Sequence, residues 1–143
     1  RPWLAFLTVT QAAFVAAGFD PALGVEKVVL DSATAEGDEI RYLETATRQV
    51  TALARLDEEK VDAFYDISLE EFARIEEQLD VSLSAWLAGD VQRFEDALIS
   101  PVRDASPRAF EIIFSERNRE WVDSIQTYLQ GTQDTFVAVG AGV

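Results

Sequence analysis

Arg117 is the residue whose chemistry is most at odds with its neighbours. Phe110, Ile113, Phe114, Trp121, Ile125 and Tyr128 recur at helical spacing and form one apolar face. Arg117 falls in the middle of that face, where another apolar side chain is expected. A guanidinium keeps its proton and is costly to bury unpaired. The pattern therefore requires Arg117 to reach a carboxylate, a carbonyl edge or a water-filled pocket. A guanidinium so held can grip a carboxylate by two parallel hydrogen bonds or steady negative charge on a reacting oxygen. Asn118 borders the same face, and Glu116 turns away from its centre. The acid pairs Glu58-Glu59, Glu70-Glu71 and Glu76-Glu77 resemble metal ligands only on paper. Adjacent residues diverge around a helix, so each pair reads as a solvated face.

The sequence of 143 residues contains no His and no Cys. A Ser-His-Asp triad, a histidine base, a cysteine nucleophile and His- or thiolate-ligated metal sites are therefore excluded within it. The formal charge of −14 opposes nucleic-acid phosphates and anionic membrane surfaces alike. There is also no Met, so a chain that opens on Arg1 reads as a processed product or a fragment.

The elements that must position Arg117 begin with its own helix, expected over Ser106 to Tyr128. Ser106 suits the N-cap and Pro107 the first helical position. Upstream, Trp3 to Ala17 is apolar almost all round and reads as a buried core helix stopped at Gly18. Its second reading is a signal peptide, since a basic residue, an apolar run and small residues occur in that order. It is too short to span a bilayer comfortably, so no transmembrane segment is expected. Asp20-Pro21 opens the next helix, which runs to Gly37. Thr45 caps a helix that turns Val50, Leu53 and Ala54 inward, and Asp57 caps the one after it. Ser68 and Glu71 form a capping-box pattern for a helix that ends at Gly89. Asp90 caps a short successor, and Ser100 to Ala105 reads as a loop.

Two stretches read as strands. In Glu39 to Leu43, Ile40 and Tyr42 share one face; Phe136 to Val139 is apolar on both faces and runs into Gly140-Ala141-Gly142. The glycines mark a turn or let backbone approach a ligand closely. The expected fold class is thus α/β, predominantly helical, with helices packed around a small, mainly buried sheet. Two strands make no independent sheet. Their neighbours must come from a further part of the polypeptide or from a second copy in a homodimer.

Six stretches together resemble the TraB/GumN family, whose relatives include the TIKI metalloproteases. They are Arg1-Pro2-Trp3 with its apolar helix, Gly24-Val25-Glu26, and Tyr42-Leu43-Glu44-Thr45 with Gln49. Trp86-Leu87-Ala88-Gly89-Asp90, Glu116-Arg117-Asn118 with Trp121, and Val137 to Gly142 complete the set. The resemblance covers residues 1–143 as a single domain, the central and C-terminal part of the family's larger one. It implies two Gly-x-x-His motifs and a nearby acid that hold a divalent metal for peptide-bond hydrolysis. This sequence begins after the first motif. At the second, Val143 stands where the histidine is expected, so the chain itself supports no metal ligand. The resemblance further matches Glu44, Gln49, Arg117 and Asn118 to the family's own residues. Arg117 and Glu44 are then expected to form a buried, bidentate pair at a pocket edge, in a catalytic role or as an internal salt bridge. Asn118, Gln49, Gly140 and Gly142 are the expected substrate contacts. A peptide or protein substrate and a periplasmic or secreted location follow from the resemblance alone, a cytoplasmic one being the alternative. A non-catalytic binding or structural domain of the bacterial envelope is the competing function.

Overall fold

The structure is a computed structural model and describes residues 1–59 and 61–140. Every regular element among them is helical. The first helix, α1, spans Pro2–Ala16, with Pro2 in its first turn and Gly18 beyond its end in a left-handed conformation. It is not the buried core helix that its apolar sequence suggests: none of its residues is fully buried. Phe6 packs onto the core, while Leu4, Val9 and Val15 stay exposed. Asp20 accepts a hydrogen bond from Ala22 N at 2.8 Å, but it opens only a 3₁₀ turn, Pro21–Leu23. The helix proper, α2 (Val25–Glu36), starts after Gly24 and ends at Gly37, whose φ of 80° provides the left-handed C-cap.

Thr45 accepts from Arg48 N at 3.1 Å and starts α3 (Ala46–Glu58) as expected. The fully buried residues of α3 are Ala52 and Leu56; of the residues expected inward, Leu53 packs against the core, Ala54 is half-buried and Val50 is exposed. Asp57 does not cap the next helix, because α3 continues through it. Its carboxylate instead accepts from Trp3 N at 3.1 Å and Tyr65 Oη at 2.8 Å, tying α1 to the helix that follows. Burial, reinforced by that bond to a carboxylate, pushes the Tyr65 phenol well above its ordinary range.

That helix, α4 (Asp62–Phe72), runs straight through the Ser68–Glu71 capping pattern. Phe64 anchors it in the core, and Ser68 Oγ donates to the Phe64 carbonyl at 2.6 Å. The break comes at Ala73 and Arg74, before α5 (Ile75–Ala88). Gly89 (φ 67°) ends α5, and Asp90 caps α6 (Val91–Leu98) by accepting from Arg93 N at 3.0 Å. The two helices pack as a hairpin, with the Trp86 and Phe94 rings 5.7 Å apart. Ser100 to Ala105 is not a loop but a short helix, α7, with Pro101 in its first turn.

The expected long helix is present as three contiguous pieces, residues 107–129. Ser106 accepts from Ala109 N at 3.4 Å and starts α8 (Pro107–Phe110). A π-helical turn, Glu111–Ser115, follows and leads into α9 (Glu116–Leu129). Within the π turn Ile112 is sealed in the core. The core joins Ala52, Leu56, Val61, Phe64, Ala109 and Ile112, so α3, α4 and the π turn converge there.

The sheet is the main correction. Neither Glu39–Leu43 nor Phe136–Val139 forms a strand, and no sheet exists among the described residues. Tyr42 is 76% exposed and Phe136 77%, so neither the alternation in the first stretch nor the apolar run of the second marks a buried strand. A strand needs a partner to receive its backbone hydrogen bonds, and neither segment finds one among the described residues. The fold is therefore helical, not helices around a buried sheet. Among the described residues no helix is long and apolar enough to cross a membrane.

Candidate functional site

The site assembles where the segment between α2 and α3 meets the long helix. Glu44 lies just before the N-cap of α3, and Arg117 lies one residue into α9, directly after the π turn. Arg117 Nε donates to Glu44 Oε2 at 3.0 Å and Nη2 to Oε1 at 2.5 Å, a two-pronged pair. Each side chain keeps only 15% of its surface exposed. Nη1 donates to the Ile113 carbonyl at 2.8 Å, within the π turn. The guanidinium also stacks over the Trp121 ring, 5.0 Å from its centroid. Three of its five N–H groups are thus assigned and its plane is fixed. The question posed by a cation on an apolar face has a structural answer: a carboxylate 73 residues away in sequence meets it.

Arg117 and Gln49 both line a cavity of about 450 Å³ that is partly open to solvent. Five phenylalanines, Phe6, Phe14, Phe64, Phe72 and Phe114, supply much of its wall. Its size falls within the range of small-molecule sites, roughly 300–1,000 Å³. Glu44 is not on that wall; it grips Arg117 from outside. Asn118 is beside Arg117 but not on the wall, and its Oδ1 is sealed from solvent with no hydrogen-bond partner. The Trp121 Nε1 donor is sealed in the same way. Gly140 lies in exposed chain with open space around its Cα and does not line the cavity. Gly142 lies outside the described residues.

Sequence reasoning missed the charged seam that holds α3 to the long helix. Arg48 pairs with Glu120 at 2.7 Å and Arg55 with Glu116 at 2.5 Å. Arg108 joins Glu59 at 2.6 Å and Glu116 at 3.3 Å. Glu116 is thus a half-buried hub rather than a solvated acid. The hydrogen bond from Arg55 holds its carboxyl below the usual glutamate range, against the opposing effect of burial. A signal was available: Arg48 and Arg55 are seven apart on α3, Glu116 and Glu120 four apart on α9, so each pair shares a helix face.

The sequence model of the TraB/PrgY/gumN family matches residues 1–143. The chain belongs to the TraB/PrgY/gumN family. No curated protein and no solved structure matches it. The resemblance implies a divalent metal, and the described residues do not offer it a ligand set. There is no His or Cys, and both Glu44 oxygens are taken by Arg117. Among the described residues no three potential ligands come together.

Proposed function

We propose that this TraB/PrgY/gumN chain is the substrate-holding body of a peptidase-like hydrolase, whose metal-binding groups lie outside its 143 residues. The observation that supports this is a guanidinium fixed in direction on the wall of an apolar cavity. Two N–H groups of Arg117 remain for a substrate carbonyl or carboxylate. Glu44 is the positioning residue, since it sets the plane of the fork. Gln49 shares the wall and suits a peptide amide. An apolar side chain of the substrate occupies the phenylalanine-lined space. The reading places the protein in the bacterial envelope, periplasmic or secreted.

The test is hydrolysis of unstructured peptides by the full-length protein, with metal content measured on the same sample. Arg117→Lys keeps the charge and loses the fork. The expected result is a folded variant with kcat/KM reduced at least about tenfold, a loss of about 1.4 kcal/mol of transition-state stabilisation. Unchanged kcat/KM would remove Arg117 from the site. A second reading is a non-catalytic binding domain of the envelope. It is favoured by the wall itself, where the acid Glu71 is already engaged by Arg74 and Gln78. A metal-free, inactive full-length protein that still binds peptide would establish that reading instead.

A further inference from the structure

The polar groups of the cavity restrict what can enter it. Two charged residues line the wall, Arg117 and Glu71. Arg117 is neutralised by Glu44. Glu71 accepts from Arg74 Nη2 at 2.9 Å and from the Gln78 amide. An anion could take the two spare N–H groups of Arg117 but would meet a guanidinium already neutralised by Glu44. A cation would have to displace Arg74 or Gln78 from Glu71. Either charge therefore enters an apolar space without a free counter-charge, which is costly. The chain's net charge of −14 adds long-range repulsion of anions.

Two hydroxyls also reach the wall, Thr10 and Ser68. Each has one proton to give, and each donates it to its own helix. Thr10 Oγ1 donates to the Phe6 carbonyl at 2.8 Å, and Ser68 Oγ donates to the Phe64 carbonyl at 2.6 Å. What they offer the cavity is therefore acceptor lone pairs. Unfilled apolar volume also leaves its lining without dispersion partners on one side. A hydrocarbon would restore them.

We infer that the cavity is a binding site for a neutral, mainly hydrocarbon ligand bearing one hydrogen-bond donor, such as a medium-chain alcohol. The inference shares the cavity with the hydrolytic reading but none of its chemistry, so it stands or falls on binding alone.

The experiment uses the full chain with Nile red as the reporter. 1-Decanol, decanoate and decylammonium compete for it, each below its aggregation concentration. 1-Decanol is expected to displace the dye at a concentration at least tenfold lower than either charged analogue. Ala97, a half-buried residue on the wall, provides the blocking variant. Ala97→Trp, checked for helix content by circular dichroism, is expected to weaken 1-decanol binding at least tenfold. Thr10→Trp on α1 fills the cavity from another helix and serves if the first variant does not fold. Failure of 1-decanol to displace the dye, equal or tighter binding of decanoate or decylammonium, or undiminished binding by a folded blocking variant would each overturn the inference. Peptide hydrolysis is read separately, so loss of one result leaves the other intact.

Discussion

The two sides of α3 are held in different ways. Arg48 and Arg55 reach the long helix through guanidinium–carboxylate pairs, and Glu44, at the helix entrance, does so through Arg117. Ala52, Leu53 and Leu56 meet the aromatic and aliphatic side chains of α1, α4 and the π turn. The ionic side depends on direction: each fork fixes the plane and register of its partner. The apolar side depends on area and contact, and it stops short of closing, leaving the cavity. The contrast shows how one helix can be set rigidly along one edge while presenting an adaptable wall along the other. Arg117 belongs to both, being a member of the pairs and a part of the wall.

The comparison breaks most visibly where burial is complete. Leu56 and Ile112 are fully buried, so Leu56→Ala or Ile112→Ala should each cost about 2–5 kcal/mol in chemical denaturation. A cost near that of a surface change would mean that the core lies elsewhere. On the ionic side, Glu44→Gln should cost about 2–3 kcal/mol. That is below the ~3–5 of a fully buried pair, because solvent reaches both partners. It should also loosen Arg117, seen as altered Trp121 fluorescence.

Acid should separate the two sides further. Glu59, Glu116 and Glu120 all have carboxyls held low, foremost by hydrogen bonds from Arg108, Arg55 and Arg48 respectively. A carboxyl lowered on folding contributes its full stability above its unfolded pKa, about 4.3 for glutamate. The contribution is lost as pH falls through the folded value. Melting temperatures should therefore fall below about pH 4.3 with a slope that Glu116→Gln reduces. The slope should be unchanged in Leu56→Ala, which removes no titrating group. The smallest effect is expected where the acid of the seam is most open: Arg48→Ala should cost about 0.2–1 kcal/mol, less in high salt, since Glu120 is half exposed.

Much of the helix layout was legible because capping is local chemistry. Thr45, Asp90 and Ser106 cap helices as their side chains suggest. Arg117 was legible from a single misplaced charge on an apolar face. The errors arose where distant contacts overrode local pattern. Asp57 has cap chemistry but is claimed by Trp3 and Tyr65, and Ser68 is carried inside a helix by the burial of Phe64. The strand readings failed because neither the alternation in Glu39–Leu43 nor the apolar run Phe136–Val139 supplies a partner, and no ladder forms among the described residues. Likewise, apolar content along α1 did not predict burial; Leu4 and Val15 are each 53% exposed. The π turn left no sequence signature, although it is the carbonyl of Ile113 within it that steadies Arg117.

The direct test of the Arg117–Glu44 hold is a double-mutant cycle. Arg117→Met, Glu44→Gln and the double variant are compared with the parent by chemical denaturation. A shared fork predicts a coupling energy of about 1–3 kcal/mol, with the double variant less damaged than the sum of the singles. Additive losses, with a coupling within about 0.3–0.5 kcal/mol of zero, would show that the two side chains act independently and that Glu44 does not set the guanidinium on the cavity wall.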